Sequence, residues 1–245
     1  MELIILGSGT GTGSLKRCGP SSFLQIGKTK MLVDCGLGAL HQLERAGESY
    51  KDIDIVFLTH VHNDHICELS SLIWTLKYTP GFKRKKDLLI IGAAGFKKYY
   101  SDVIEKMSGK PNTFKIIIKE INKRMVFDDF VVESTPVIHS RYSVAFKFIH
   151  DNKSLVVSGD TDFDRRLIAL SRNADLLLLE CSFPNKQKCI FHMTPNGCGK
   201  IARKANVRKM VINHLYPAFP DNRLDDTKKI FNNVILAKDL MRIKI

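Results

Sequence analysis

The chain has 245 residues, 44% of them hydrophobic and 26% charged, and a formal charge of +13 from 38 Lys and Arg against 25 Asp and Glu. Those proportions are those of an ordinary globular protein, and no apolar run approaches the roughly 18 residues of a membrane span, so neither a span nor an export signal is expected. Six cysteines (Cys18, Cys35, Cys67, Cys181, Cys189 and Cys198) include no Cys-x-x-Cys pair, which argues against a zinc knuckle or disulfide framework and for reduced thiols in the cytoplasm.

Residues 2–6 form a predicted strand, followed by a glycine-rich run at 7–14 whose spacing fits neither a dinucleotide fingerprint nor a P-loop. A tight turn flanking a pocket is the better reading. A hairpin around 27–30 and a helix over 36–46 come next. The apolar run 53–58 predicts a buried strand, and Thr59-His60-Val61-His62-Asn63-Asp64-His65 follows it directly. A helix is expected over 66–78, with Leu69, Leu72, Ile73 and Leu76 on one face. The charge excess lies in two blocks, +8 over 81–125 and +7 over 196–245. Both suit a polyanion or an anionic substrate, and equally a lysine-rich surface kept for solubility. Within the first block, 81–86 is a basic turn, either solvated or touching phosphate. A strand at 88–91, a helix at 97–107 and strands near 114–121 and 129–133 close the first half.

The second half repeats a pattern of apolar strand followed by polar residue. Residues 135–138 lead to His139, 155–159 to Asp160, 176–179 to Glu180 and 210–213 to His214. Strand ends of one α/β sheet converge on a single crevice, so these positions are expected to meet the first cluster. His192 lies just before Thr194 and Pro195, a predicted N-cap and first turn of a helix to about residue 204. A short helix at 225–233 and strands at 234–237 and 242–245 finish the chain. His41 and His150 remain as ordinary surface or packing residues.

Three imidazoles and a carboxylate within six positions are costly to keep unless a metal offsets their desolvation. His60 and His62, two apart on extended backbone, face the same way and can clasp one ion, while Asp64 and His65 can reach a second. The pattern His-x-His-x-Asp-His resembles the signature of the metallo-β-lactamase-fold hydrolases. With residues 1–9, Asp34-Cys35-Gly36, His139, Asp160, Glu180, His192-Met193-Thr194 and Asn213-His214, the chain is similar to the ribonuclease Z branch of that superfamily over nearly its whole length.

That resemblance implies an α/β, four-layer αββα sandwich, with residues 1–245 as a single domain holding two zinc ions (Mn2+ or Fe2+ being the other candidates). It implies that His60, His62 and His139 bind one ion, that Asp64, His65 and His214 bind the other, and that Asp160 bridges them. A hydroxide shared by the ions would attack a phosphodiester, with Asp64, His192 and Glu180 as catalytic residues: His192 as the acid and Glu180 orienting it. The implied partners are RNA such as a tRNA precursor, or a small cyclic or aryl phosphodiester, with a possible homodimer. Departures exist: Leu37 stands where the family has Glu, and Glu68-Leu69-Ser70 where it has Gly-Leu-Pro. Only 20 residues separate His139 from Asp160, where ribonuclease Z proteins carry an arm that grips tRNA. Rival readings are an ester, lactone or thioester hydrolase on the same scaffold, a redox di-iron protein, and a catalytically idle nucleic-acid binder with a structural zinc site.

Overall fold

The structure is a computed structural model and describes residues 1–219 and 222–245. Its strands in chain order are β1 (Glu2–Gly7), β2 (Ser21–Ile26), β3 (Thr29–Cys35), β4 (Ile55–Phe57), β5 (Leu88–Gly92) and β6 (Ile116–Glu120), then β7 (Arg124–Val126), β8 (Val131–Pro136), β9 (Val144–His150), β10 (Lys153–Val157), β11 (Leu176–Glu180), β12 (Lys209–Asn213), β13 (Val234–Leu236) and β14 (Met241–Lys244). Among the described residues they form two seven-stranded sheets, ordered β14-β1-β2-β3-β4-β5-β6 and β13-β12-β11-β10-β9-β8-β7. Each sheet is antiparallel on one side and parallel on the other, the parallel runs being β3 to β6 and β10 to β13. In both, the parallel run brings consecutive strand ends to one edge, as crossover connections require.

Period-two alternation sets the layers. Leu3 and Ile5 of β1 enter the core between the sheets, while Ile4 and Leu6 face outward into a second core. Leu176 and Leu178 of β11 likewise face the central core, and Leu177 and Leu179 a third. The outer core of the first sheet is covered by α1 (Ala39–Arg45) and α3 (Leu69–Tyr78), and that of the second by α6 (Arg165–Leu170) and α7 (Pro195–Ala205). Strands buried on both faces must be apolar at every position, which is why β1 and β11 read as continuous runs. The result is the expected αββα sandwich.

Several boundaries differ from the sequence reading. The helix expected over 66–78 is two, α2 (Asn63–Ile66) and α3, separated at Cys67 and Glu68. The carboxylate of Glu68 is spent across the gap on the backbone N–H groups of Gly38 (2.6 Å) and Leu40 (2.9 Å), capping α1. The helix expected over 97–107 is α4 (Phe96–Tyr99) and α5 (Glu105–Ser108) joined by a π segment, Tyr100–Ile104. Thr194 takes the N-cap position of α7 with Pro195 in the first turn, but its side chain makes no cap hydrogen bond.

The basic turn at 81–86 is exposed at Lys83, Lys85 and Lys86, as a solvated loop would be, but not at Arg84. That side chain is buried and donates to the carbonyls of Lys86, Lys51, Ile53 and Asp87 at 2.7–3.1 Å, while Lys86 pairs with Asp54 at 2.5 Å. Between His139 and Asp160 the chain makes only a short loop and the β9–β10 hairpin, turned at Asp151 and Asn152 with left-handed φ of 48° and 59°.

Candidate metal centre

The cluster assembles at the ends of parallel strands from both sheets. His60 follows β4, and His62 sits at the N-cap of α2, so Asp64 and His65 leave on a helical turn rather than an extended loop. Asp160 follows β10, Glu180 is the last residue of β11 and His214 follows β12. His139 comes from the loop between β8 and β9, and His192 from the loop before α7. The sheets touch closely here. Gly159 has φ of +58°, and a Cβ on it would lie 2.6 Å from the Thr59 Cβ, so only glycine allows the approach.

The structure brings together all nine predicted site residues. Candidate ligand atoms of His60, His62 and His139 lie within 4.8 Å of one another, as do those of Asp64, His65 and His214. Asp160 stands between the two groups. Its Oδ1 is 3.2 Å from His65 Nε2 and 3.3 Å from His214 Nε2, while its Oδ2 is 3.9 Å from His60 Nε2 and 3.7 Å from His139 Nε2. Asp64 Oδ2 lies 3.4 Å from His214 Nε2. None of the six cysteines joins the cluster, and His150 is engaged elsewhere, on the carbonyl of Asp129 at 2.6 Å.

Two networks behind the cluster fix which nitrogen each ring presents. Asp34 is buried, with left-handed φ of 61°; its Oδ1 accepts from the Thr59 N–H at 2.8 Å, and its Oδ2 from the Thr59 hydroxyl at 2.9 Å and from His65 Nδ1 at 2.7 Å. The same Thr59 oxygen accepts from His60 Nδ1 at 3.0 Å. On the other side the Ser182 hydroxyl donates to Glu180 Oε2 at 2.6 Å and accepts from His214 Nδ1 at 2.8 Å, while Glu180 Oε1 accepts from His192 Nδ1 at 2.8 Å. His139 Nδ1 donates to the Phe191 carbonyl at 3.1 Å. With Nδ1 occupied, His60, His65, His139 and His214 each turn Nε2 inward. In the sequence Asp34 and Thr59 stand within the motifs with nothing to mark this role, and Ser182 is marked only by being a hydroxyl residue beside Glu180.

Charge follows this geometry. Burial would depress the His65 pKa, but Asp160 and Asp34 outweigh it and hold the imidazole well above its usual range. Burial likewise opposes ionisation of Asp160, yet His214 and His65 keep its carboxyl well below the normal value, and Asp64 is lowered by His214 in the same way. His60 and His139 are pushed down, chiefly by burial. At His192 burial is overcome by the hydrogen bond and charge of Glu180, and the pKa rises.

Four buried atoms in this space, His60 Nε2, His65 Nε2, Asp160 Oδ1 and His214 Nε2, have no hydrogen-bond partner. Buried polar atoms are nearly always satisfied, and these four are imidazole and carboxylate atoms aimed at each other, which a cation satisfies. The residues fit a divalent metal.

A match to the family described as Anti-Pycsar protein Apyc1 covers residues 1–232. The chain belongs to that family. The Apyc1-family member also aligns with the ribonuclease Z of Archaeoglobus fulgidus, 23% identical over 100% of this chain and 97% of the relative. That alignment runs over 303 positions against 245 residues here, so the relative carries several dozen residues that this chain lacks. Among solved structures it is similar to the metallo-β-lactamase fold protein YhfI from Bacillus subtilis (TM-score 0.88, 23% identical, 99% of each chain). It is also similar to human tRNase Z, short form (TM-score 0.83, 22% identical, 100% of this chain and 99% of that one). The fold is therefore the metallo-β-lactamase fold, and this Apyc1-family protein is a metal-dependent hydrolase of ribonuclease Z-like build.

Proposed function

We propose that the protein is a zinc-dependent phosphodiesterase with a dinuclear centre, and that its substrate is a small cyclic or aryl phosphodiester. The observation that carries this is the set of four unpartnered buried atoms around Asp160, with His192 standing beside them on a carboxylate of its own. His60, His62 and His139 would hold one ion, and Asp64, His65 and His214 the other. Asp160, with one oxygen toward each group, would join them. Imidazole-rich donors suit zinc, with Mn2+ and Fe2+ as weaker competitors. Bound ions of this kind polarise phosphate oxygens and make a water acidic enough to act as nucleophile at neutral pH.

The chain's own residues supply the proton and the positioning. His192 is held by Glu180 through Nδ1, which leaves Nε2 to hand a proton to the departing oxygen. Its raised pKa keeps the ring protonated to higher pH than a free imidazole. After transfer the ring is neutral and Glu180 still accepts from Nδ1. Asp64, on the helical turn of α2, would hold its ion, while His214 is held from behind by Ser182.

The bare hairpin between His139 and Asp160 favours a small substrate over tRNA, because no arm stands there to grip an RNA elbow. RNA 3′-end cleavage is the second reading, favoured by curated relatives named ribonuclease Z and by the charge of +13. The two sheets share one apolar core, which supports a single domain over residues 1–245. The six free cysteines support a cytoplasmic setting. Turnover of bis(p-nitrophenyl) phosphate, abolished by chelator and restored by zinc, is the expected result, together with little cleavage of a tRNA precursor bearing a 3′ trailer. Absence of chelator-sensitive turnover would overturn the phosphodiesterase reading, and efficient trailer removal would move the substrate to RNA.

A further inference from the structure

Among the described residues Arg223, the first residue of α8 (Arg223–Lys228), is the largest side chain that is fully buried. Its guanidinium reaches two loops at once. Nη1 donates to the carbonyls of Ser182 at 2.9 Å and Cys181 at 3.4 Å, and Nη2 to those of Tyr216 at 3.2 Å and Phe219 at 3.3 Å. The first pair lies just past the end of β11, the second just past β12 and His214. A planar fork with donors on both nitrogens serves two carbonyl pairs in fixed directions, which the compact ammonium of a lysine does not. α8 is itself pinned to the start of α7, the Thr227 hydroxyl standing 2.8 Å from the Arg223 carbonyl and 3.5 Å from that of Pro195.

The two loops meet at one hydroxyl. Ser182 Oγ lies 2.8 Å from His214 Nδ1, 2.6 Å from Glu180 Oε2 and 3.3 Å from His192 Nδ1, so it stands between a candidate ligand and the candidate acid. Its place is set by the main chain at 182, whose N–H goes to Glu180 Oε2 at 3.0 Å and whose carbonyl goes to Arg223. The aromatic contacts beside it span the same loops. Phe183 packs on His192 with ring centroids 5.6 Å apart, and also on Tyr216 at 5.2 Å and Phe219 at 5.5 Å.

We infer that Arg223 is a positioning residue for the centre: it clamps the loop of Ser182 to the loop that follows His214, and acts on His214 and His192 through the Ser182 hydroxyl. The inference rests on the phosphodiesterase reading for what His192 does, and adds what keeps the acid and a ligand in register. A hydroxyl that donates to Glu180 and accepts from His214 needs both directions right at once, so a drift of residue 182 against residue 214 weakens both bonds. The Asp34–Thr59 network that holds His60 and His65 hangs on the other sheet and is left as it is.

The test is Arg223→Lys in the zinc-loaded protein, with the fold checked by melting. Loss of a group that supports a ligand weakens metal sites by about 10- to 100-fold, so zinc affinity by chelator competition should fall about tenfold, and kcat for bis(p-nitrophenyl) phosphate about as much with KM unchanged. In proton NMR spectra of histidine-labelled protein, the Nδ1–H signals of His192 and His214 should move while those of His60 and His65 stay in place. All of these signals moving together, or none of them, would overturn the clamp. Ser182→Ala removes the hydroxyl, so adding Arg223→Lys to it should deepen its losses by no more than about threefold; losses that multiply would mean a route other than Ser182 and overturn the inference. With Ser182→Thr, which keeps the hydroxyl, the full loss should return. If Arg223→Lys does not fold, Arg223→Gln is taken through the same spectra. The split pattern in a protein with no phosphodiester turnover would keep the clamp and overturn the reading it rests on, and unmoved signals in a protein with turnover would do the reverse.

Discussion

Replacing Asp34 by asparagine keeps the shape of a buried side chain and removes one acceptor from a junction that uses both oxygens. Oδ1 accepts from the Thr59 N–H at 2.8 Å, and Oδ2 from His65 Nδ1 at 2.7 Å. If the asparagine oxygen stays on Thr59, its amide NH2 faces His65 Nδ1, which can then only accept. The imidazole proton moves to Nε2, the atom turned toward Asp160 Oδ1 at 3.2 Å and needed as a lone pair for a metal. The opposite flip spares His65 and sets an NH2 group against the buried Thr59 N–H instead. Either way one charge-assisted hydrogen bond is lost, worth about 1.5–3 kcal/mol; in the first arrangement this corresponds to roughly a 10- to 100-fold loss of zinc affinity, and in the second it falls on the stability of the fold instead. Competition with a chromophoric chelator measures it directly, with far-UV circular dichroism confirming the fold. Affinity within threefold of wild type in an Asp34→Asn protein whose melting temperature is also unchanged would refute the assignment of Asp34 as the residue that orients His65.

Other outcomes follow from the same geometry. His192→Ala should keep its metal content and lose about 100-fold or more in turnover of bis(p-nitrophenyl) phosphate; loss of zinc would make His192 a ligand. Glu180→Gln removes the main cause of the raised His192 pKa, so the alkaline limb of the pH–rate profile should move to lower pH. A raised imidazole pKa adds stability that is fully present below the unfolded-state value near 6.5 and lost as pH rises through the folded one. The melting temperature of Glu180→Gln should therefore fall most, relative to wild type, on the acid side of that window. Gly159→Ala combines left-handed backbone with a 2.6 Å approach to Thr59, and should cost about 2–4 kcal/mol in a denaturant melt. Arg84→Ala strips four carbonyls of their donor and should cost about 2–3 kcal/mol without changing zinc affinity; weaker zinc binding would mean that this junction supports the metal centre.

What the chain alone determined was the list of parts. Apolar runs ending in His60, Asp160, Glu180 and His214 marked strand ends because burial on both faces of a parallel strand demands apolar residues throughout. The density of imidazoles after β4 marked a metal site because such groups are too costly to bury together without a cation. Composition could not say what the basic residues do. Arg84 sits in a run that looks exposed, yet it is buried because the folded chain turns four carbonyls toward it. The tertiary structure alone decided the supporting chemistry. Asp34 and Ser182 become the residues that choose a ring nitrogen only when strands 25 or more positions apart lie side by side, and that distance leaves no periodic trace in sequence. The same is true of Arg223, whose carbonyl partners come from two loops that meet only in the folded chain.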